Sequence, residues 1–510
     1  MDGEHDAQRH IWPSLEAVFE DKAARGLHRV GVVDVGSNSV RLVVFDGAAR
    51  SPAYFYNEKV MAGLGAGLDE TGRLNPEGRR RAKAAIRRFV ALAEGMDIAP
   101  LEAVATAAVR RAEDGPEFVA EIEDETGLKL TVIDGEEEAR LSAQGVLLGW
   151  PQGEGLVCDI GGSSMELARI EAGRVWERAT SDLGPLTLTG LAGGAKERAK
   201  AIEAGLAPLF ERLGPHPHLY LVGGSWRAIA RLDMHRRGYP LSVLHDYRMT
   251  PKSVRETLDD LKGRDLDTYR KEVGISSGRI SLVPVAGEVL RRLMARFGIR
   301  AITVSGYGIR EGLLFERMPA RVRARDPLIE AARHAEMLNA RMPGFGERLH
   351  DFIAPLFADS VTDPRLHRAA CLLHDVSWRA HPDYRAEIVF DNATRGNLGG
   401  VDHPGRVFVG LALMHRYRNG RPGPHFEPLL GLLTEAQMRE AEILGRAMRF
   451  GAMFSVAAPD RLGRLDWRPR AKRLELILPP RAVPLYGEVA EARLASLAKA
   501  LQADLTVTEE

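Results

Sequence analysis

Two short corners constrain this chain more than any other feature. Arg29 to Gly47 reads RVGVVDVGSNSVRLVVFDG, and Gly155 to Gly173 reads GLVCDIGGSSMELARIEAG. Each is an apolar, β-branched run, an Asp-x-Gly corner rich in hydroxyl residues, and a second apolar run. Such runs bounded by glycine predict two strands folded back on each other. In the first corner Asp34 ends a strand, and Gly36, Ser37, Asn38 and Ser39 make the turn; in the second, Asp159 precedes Gly161, Gly162, Ser163 and Ser164. Glycine lets a backbone approach a ligand closely, and the hydroxyl and amide side chains stand beside clustered main-chain N–H groups, which suits a phosphate. A carboxylate at the strand end repels phosphate unless a metal ion or a poised water lies between them, so a metal-assisted phosphate site is expected. One turn of Asp, Gly and Ser needs bind nothing. Two copies in the same setting predict an internal duplication, each half offering one phosphate-cradling hairpin to a shared cleft.

The remainder of the chain bounds what surrounds that cleft. A length of 510 residues exceeds a single core, and about two to four domains are expected. Lys and Arg balance Asp and Glu at 70 each, which argues against a nucleic-acid partner. Cys158 and Cys371 sit inside apolar runs and read as buried reduced thiols of a cytoplasmic protein. No apolar run approaches the length of a membrane span, and residues 1–27 carry no signal-peptide core, so no membrane association is expected. Residues 1–27 read as an extension with a short helix from Ser14 to Ala24.

From Asn75 onward helix and strand patterns alternate. Asn75-Pro76-Glu77 starts a helix with Ile86, Phe89, Val90 and Ala93 on one face; Arg79, Arg80, Lys83 and Arg87 opposite read as a solvated face. Leu101 to Ala108 leads to Val109-Arg110-Arg111, then a helix from Pro116 to Thr126 and a strand from Leu128 to Ile133. Glu136, Glu137 and Glu138 open a helix that continues to Leu148. Acidic residues there favour the helix dipole without further role, but a carboxylate just after a strand edge and just before the second corner is placed to overhang the cleft and polarise a water. The turn Gly223-Gly224-Ser225, between a strand and a helix to Arg236, reads either as a contact to a phosphate chain or as helix–strand packing. Ile302 to Ser305 runs into Gly306-Tyr307-Gly308, another glycine corner against the cleft, and the absence of any Gly-Lys dipeptide excludes a Walker A loop. The expected partition is 1–27, 28–150, 151–317, 318–460 and 461–510, with a basic linker around Glu316 to Arg325. Leu474 to Leu478, a helix from Gly487 to Leu501 and Leu505 to Val507 read βαβ.

The segments ATAAVRRAEDGPEFVAEIEDETGL, VIDGEEEARL and GLVCDIGGSSMEL resemble the exopolyphosphatase and guanosine pentaphosphate phosphohydrolase (Ppx/GppA) family, a branch of the actin-like, sugar-kinase and Hsp70 ATPase superfamily, over Val30 to Phe315. The resemblance implies an α/β fold: two ribonuclease H-like (actin-like) domains around a cleft, a mostly helical HD-like domain and a small α+β segment. It implies Mg²⁺-dependent, processive hydrolysis of the terminal phosphate of inorganic polyphosphate by a homodimer. The alternatives are guanosine pentaphosphate as substrate, or a nucleotide-sensing binding protein. By the same resemblance Glu138 is the base that activates water, and Asp159 and Glu166 hold a divalent cation or orient that water. Ser37, Asn38, Gly161, Gly162, Ser163 and Ser164 cradle phosphate, and Arg110 and Arg279 grip it. Asp34, Gly36, Gly223, Gly224, Ser225, Gly306 and Gly308 complete the cleft. Hard oxygen ligands without a zinc-spaced Cys/His cluster select Mg²⁺. Two departures stand out: Ser163 replaces the usual third glycine, and Pro185 sits in LGPLTL. The region holding His350, His374-Asp375, His403 and His415 resembles an HD-type domain, but its late helix LGRAMRFGAMFS lacks the expected Asp, so a degenerate, non-catalytic HD fold is expected. Arg317, Arg321, Arg323, Arg325 and the cluster from Arg468 to Arg473 read either as a cationic channel for a long polyanion or as solubilising surface charge.

Overall fold

The structure, a computed structural model, describes residues 29–46, 50–99, 101–420 and 422–510; the helix expected from Ser14 to Ala24 lies outside them. The chain forms two units, divided between Ala324 and Arg325.

The first unit is built on two sheets. One contains β1 (Gly31–Val35), β2 (Val40–Phe45), β3 (Tyr54–Val60), β4 (Leu101–Ala105) and β5 (Leu130–Val132), in the order β3-β2-β1-β4-β5. The other contains β6 (Gly155–Ile160), β7 (Met165–Glu171), β8 (Arg174–Ser181), β9 (His218–Gly223), β10 (Tyr247–Met249) and β11 (Ala301–Val304), in the order β10-β11-β9-β6-β7-β8. Each begins with an antiparallel meander and adds parallel strands on its other side. The second differs by the antiparallel edge strand β10. The duplication expected from the two corners is therefore a duplication of topology. Its registers repeat as well: Asp34 pairs with Arg41 and Arg41 with Lys59, while Asp159 pairs with Glu166 and Glu166 with Thr180. On the parallel side Asp34 faces Val104 and Asp159 faces Val222. Directly opposed residues present side chains to one face of a sheet, so each aspartate starts a row across its meander.

The helix Pro76–Gly95 starts where Asn75 accepts a hydrogen bond from Gly78 N at 2.9 Å, and it buries Ile86, Phe89 and Ala93. Its basic face is not simply solvated. Arg79 pairs with Asp114 at 3.0 Å and Glu121 at 2.8 Å, Lys83 with Glu125 at 2.6 Å, and Arg87 with Glu125 at 2.5 Å, all on or beside the helix Gly115–Thr126. Of these pairs only Arg87–Glu125 has a largely exposed cation and contributes at most about 1 kcal/mol; Arg79, Lys83 and Asp114 are partly or fully buried, so their pairing fastens the two helices together.

The closest packing involves the helix Gly135–Gly149, which carries Glu138, and the helix Ile309–Arg317. A Cβ on Gly145 would stand 2.2 Å from the Gly308 carbonyl oxygen, and one on Gly312 would stand 1.9 Å from that of Leu141. Val32, Val104, Leu141, Val157, Val222 and Leu314 share one buried cluster drawn from both sheets and both helices.

The second unit is helical from Pro327–Asn339 through Glu435–Phe454. It ends in a three-stranded sheet of β12 (Arg464–Arg468), β13 (Arg473–Leu478) and β14 (Asp504–Glu509), in which the helix Glu488–Leu501 connects the parallel pair β13 and β14. Strand β12 was not expected; the segment from Arg468 to Arg473 turns its hairpin, with Arg468 on Asp466 at 2.8 Å and Arg473 on Glu475 at 3.4 Å. Among the other linker arginines, Arg317 pairs with Glu102, Arg323 donates to the carbonyls of Met318 and Glu316 at 2.8 and 2.6 Å, and Arg325 pairs with Glu330 at 3.1 Å. His374 Nδ1 lies 2.8 Å from the Cys371 carbonyl, and Asp375 accepts two hydrogen bonds from the Arg341 guanidinium at 2.9 and 2.7 Å. Among the described residues no three His, Cys, Asp or Glu gather in a metal-holding group, and no single helix is long and apolar enough to cross a membrane.

Overpacking a tight backbone contact costs about 1–3 kcal/mol or more. Gly312→Ala is therefore expected to lower the urea midpoint by at least that equivalent, whereas Gly263→Ala, whose added Cβ meets nothing within 4 Å, should leave it unchanged. Equal midpoints for the two variants would contradict the helix contact.

Candidate active site in the cleft between the two sheets

Both corners open into one cleft of about 490 Å³, within the size range of small-molecule sites. Asp34, Gly36, Ser37, Asn38 and Ser39 line it from the first corner, and Asp159, Gly161, Gly162 and Ser164 from the second. The corners close alike: Gly36 N donates to the Ser39 carbonyl, and Gly161 N to that of Ser164, each at 3.0 Å. They also face each other closely, since a Cβ on Gly162 would come within 3.8 Å of the Ser37 Cβ. The second corner is braced from behind. Pro185 starts the short helix Pro185–Thr189; Leu186 N donates to the Gly162 carbonyl at 2.8 Å and Thr187 Oγ1 to that of Ser163 at 3.0 Å. Ser163 is buried with a negative φ and stands outside the lining residues, so its replacement of glycine needs no strained backbone.

Glu138 reaches the cleft from the first turn of its helix, where Asp134 accepts a hydrogen bond from Glu137 N at 2.7 Å. It is 6 % exposed, and its Oε2 accepts no hydrogen bond. Arg110 Nη1 lies 3.6 Å from that oxygen while donating to the Ile133 carbonyl at 2.7 Å. Arg110 thus backs Glu138 and is not among the cleft-lining residues. Burial pushes the Glu138 carboxyl up to about 8, with the Asp159 charge adding to the rise and Arg110 opposing it.

The other carboxyls follow the same logic. Burial raises Asp159 against a hydrogen bond donated by Ser142 Oγ, and raises Asp34 against Arg310, whose Nε lies 4.0 Å away. Glu166, opposite Asp159 in the ladder, is 1 % exposed and sits behind the cleft wall; Thr180 Oγ1 donates to its Oε1 at 3.2 Å, and its Oε2 has no partner. Burial, then the charges of Glu138 and Asp159, hold it well above the usual carboxylate range.

Gly223, Gly224, Ser225, Gly306 and Gly308 line the cleft with Arg279. Gly223 has φ +114°, and a Cβ there would meet the Ile160 carbonyl oxygen at 2.6 Å, so this position requires glycine. A Cβ on Gly224 would lie 3.3 Å from the Arg279 guanidinium, so the bare backbone admits that arginine to the turn. The two readings of this turn, phosphate contact and packing, meet at one place.

Four further cations line the cleft: Arg41, Lys59, Arg227 and Arg310. Sequence reasoning gave them no role. Burial and neighbouring cations push Arg41 down to about 10 and lower Lys59, Arg227 and, beside Arg231, Arg279. Arg310 is 7 % exposed with Nη1 unpartnered. Its neighbour Glu311 accepts from Tyr54 Oη at 2.6 Å and from Gly308 N at 2.8 Å, which fixes the last glycine corner. The usable signal was register: in a hairpin closed at Gly36 to Ser39, Arg41 falls directly opposite Asp34. Arg310 alone is raised: burial lowers it, and the charges of Glu311, Tyr54 and Asp34 outweigh that. Four cations pushed down and carboxyls pushed up within one cavity complement a polyanion accompanied by a cation.

Two sheets of repeated topology, with glycine corners facing each other across a cleft, define an α/β protein of the actin-like, sugar-kinase fold class. Comparison with known proteins narrows this: the chain belongs to the Ppx/GppA phosphatase family, whose model matches residues 43–321, and a model described as "Exopolyphosphatase, C-terminal" matches residues 328–507. It is accordingly a phosphoanhydride hydrolase. It is similar to Retrograde regulation protein 2 of Saccharomyces cerevisiae, 25 % identical over 439 residues that make up 77 % of this chain and 73 % of that protein. It is also similar to Exopolyphosphatase 1 of Mycobacterium tuberculosis, 36 % identical over 143 residues, 28 % of this chain and 42 % of that protein. A crystal structure of an exopolyphosphatase from Cytophaga hutchinsonii shares the fold, with a TM-score of 0.52 and 23 % identity over 56 % of this chain and 97 % of that one.

The Glu138 carboxyl yields a pH test. Its value of about 8 lies above the ordinary 4.5, so between these values the native state keeps a proton that the unfolded chain releases, and stability falls as pH rises through that window. Glu138→Gln removes this titration. Its melting temperature is expected to lie near that of the wild type at pH 5 and to exceed it increasingly toward pH 8; an offset that does not change with pH would count against the buried, proton-holding carboxyl.

Proposed function

We propose that the enzyme is an exopolyphosphatase that removes the terminal phosphate of inorganic polyphosphate, with Glu138 as the base that activates water. The observation that carries this reading is the composition of the cleft wall. Five cations, Arg41, Lys59, Arg227, Arg279 and Arg310, line it, and Tyr307 is the one aromatic side chain among its described lining residues. That ring is 7 % exposed and packs on His245 with centroids 4.5 Å apart. A chain of phosphates finds charge along this wall, whereas a purine finds no open aromatic face. Glu138 and Asp159 both stand in the cleft, which favours turnover over a purely nucleotide-sensing role.

The chain's own groups divide the reaction between them. The corner N–H groups and the Ser37, Asn38 and Ser164 side chains seat the terminal phosphate. Arg227, Arg279 and Arg310 neutralise the oxygens of the transferred and leaving phosphates. Ionised Glu138 accepts a proton from water as the water oxygen attacks phosphorus in line, and Arg110 behind it favours the ionised form. The donor set also fits a divalent cation: Asp34, Asp159 and Glu138 offer hard oxygens whose carboxyls burial raises, and Glu138 Oε2 has no hydrogen bond. Since among the described residues no three such groups converge by themselves, the ion that fits is Mg²⁺, commonly held by one or two carboxylates together with substrate phosphates and water. Asp159 and Asp34 would hold it, and it would supply charge neutralisation on the phosphate oxygens.

Phosphate release from long polyphosphate with Mg²⁺ tests the proposal. Glu138→Gln is expected to lower kcat by about 10²–10⁴, and chelation of divalent ions to abolish turnover. Polyphosphate should exceed guanosine pentaphosphate in kcat/KM; the reverse order would transfer the assignment to the nucleotide. Lys59→Gln, which removes one charge-assisted contact of about 1.5 kcal/mol, should raise KM for polyphosphate roughly tenfold with little change in kcat.

A further inference from the structure

A second basic cluster lies in the helical unit, around His374. Arg416, on the helix His403–Tyr417, is 8 % exposed. Its Nε is sealed from solvent without a hydrogen-bond partner, and among the described residues its guanidinium enters no hydrogen bond and no ion pair. It lies over the Tyr417 ring, 4.9 Å from the centroid, and Arg385 lies over the same ring at 5.4 Å. Arg385 Nη2 is committed to the carbonyls of Trp378 and Ala380 at 2.7 and 3.0 Å, and its Nε to Ala380 at 3.2 Å. Arg341 commits Nε and Nη2 to Asp375. Burial lowers Arg416, the Tyr417 phenol and the Asp375 carboxylate oppose it, and the like charges of Arg341 and Arg385 add to the fall. His374, with Nδ1 on the Cys371 carbonyl, adds no negative charge.

The magnitudes show that this cluster is incomplete as a purely structural arrangement. A buried guanidinium loses several kcal/mol of hydration, while a cation–π contact returns about 0.5–2 kcal/mol. Buried charges are ordinarily paired. Arg341 takes both side-chain hydrogen bonds from a guanidinium to Asp375, which leaves Arg416 no direct carboxylate partner. The matching ligand is an anion with acceptor oxygens pointing in several directions, to meet forks that approach from two helices and a bend.

We propose that Arg416, flanked by Arg341 and Arg385 beside His374, forms a binding site for a phosphate group, additional to the catalytic cleft. Where an HD-type arrangement would place a metal at the His-Asp pair, Arg341 occupies Asp375, and the positive charge comes from guanidinium groups.

Isothermal titration of inorganic phosphate into the full chain tests this, in an Arg310→Gln background that weakens the cleft. That background is expected to retain one phosphate site, and adding Arg416→Met to weaken it at least tenfold. An unchanged isotherm on adding Arg416→Met, or no phosphate bound by the Arg310→Gln protein, would overturn the proposal. Should Arg416→Met fail to fold, Arg416→Lys keeps the charge but loses the fork; roughly tenfold weaker phosphate binding supports the site, and unaltered binding sinks it. Glycerol phosphate in a parallel titration identifies the source: tighter binding than inorganic phosphate marks a phosphate ester as the ligand, weaker binding marks the free ion. The readout is binding rather than turnover, so its failure leaves the proposed hydrolysis standing, and the reverse also holds.

Discussion

A methyl group has no room between the helix that carries Glu138 and the turn that carries Gly308. Gly145 against the Gly308 carbonyl, and Gly312 against the Leu141 carbonyl, bring two backbones together where any Cβ would clash. The cleft depends on this contact. It ties the helix that carries Glu138, at Leu141 and Gly145, to the first turn of the other, with Arg310 and Glu311, and so fixes a carboxyl and a guanidinium relative to both corners. Tyr54 and Gly308 N share Glu311, which extends the same restraint to the edge of the first sheet. Rigid placement of this kind lets charged groups act without reorganising.

On that frame, duplication has produced two unlike halves. The row Asp34, Arg41, Lys59 and the row Asp159, Glu166, Thr180 occupy equivalent ladders. The first half has put two cations where the second has an acid and a hydroxyl. One meander therefore turns positive charge toward the cleft, and the other, with Glu138 lining the same cleft, concentrates carboxyls that burial pushes up. A symmetric pair of acidic rows would repel phosphate, and a symmetric pair of basic rows would lose the carboxyls of Asp159 and Glu166.

Much of this was legible in the chain. The corners, the repeated strand pairs and the acidic helix start are local patterns: β-branched runs, glycines at turns, and a capping Asp134 three residues before Glu137. Local patterns are written in consecutive residues, so they could be read directly. The cations of the cleft were not readable in that way. Lys and Arg number 70 in this chain, and nothing in their neighbours separates Arg310, buried in the cleft, from Arg79, spent on a neighbouring helix. Arg110 shows the same gap from the other side: it lies beside Glu138 yet behind it, donating to the Ile133 carbonyl. In the second unit, strand β12 went unread because Arg464 to Arg468 holds only Leu465 and Trp467 as apolar residues, too few to establish a period.

By itself, the sequence determined the two hairpins, their glycine corners and the order of α and β elements, because backbone preference and apolar periodicity act over a few residues. Only the tertiary structure decided which charges meet: that Glu138 is sealed beside Asp159, that five cations converge on one wall, and that Arg416 is buried with no ion pair among the described residues. Electrostatic character depends on burial and on distance between segments remote in the chain, and neither quantity is encoded in any one stretch of residues.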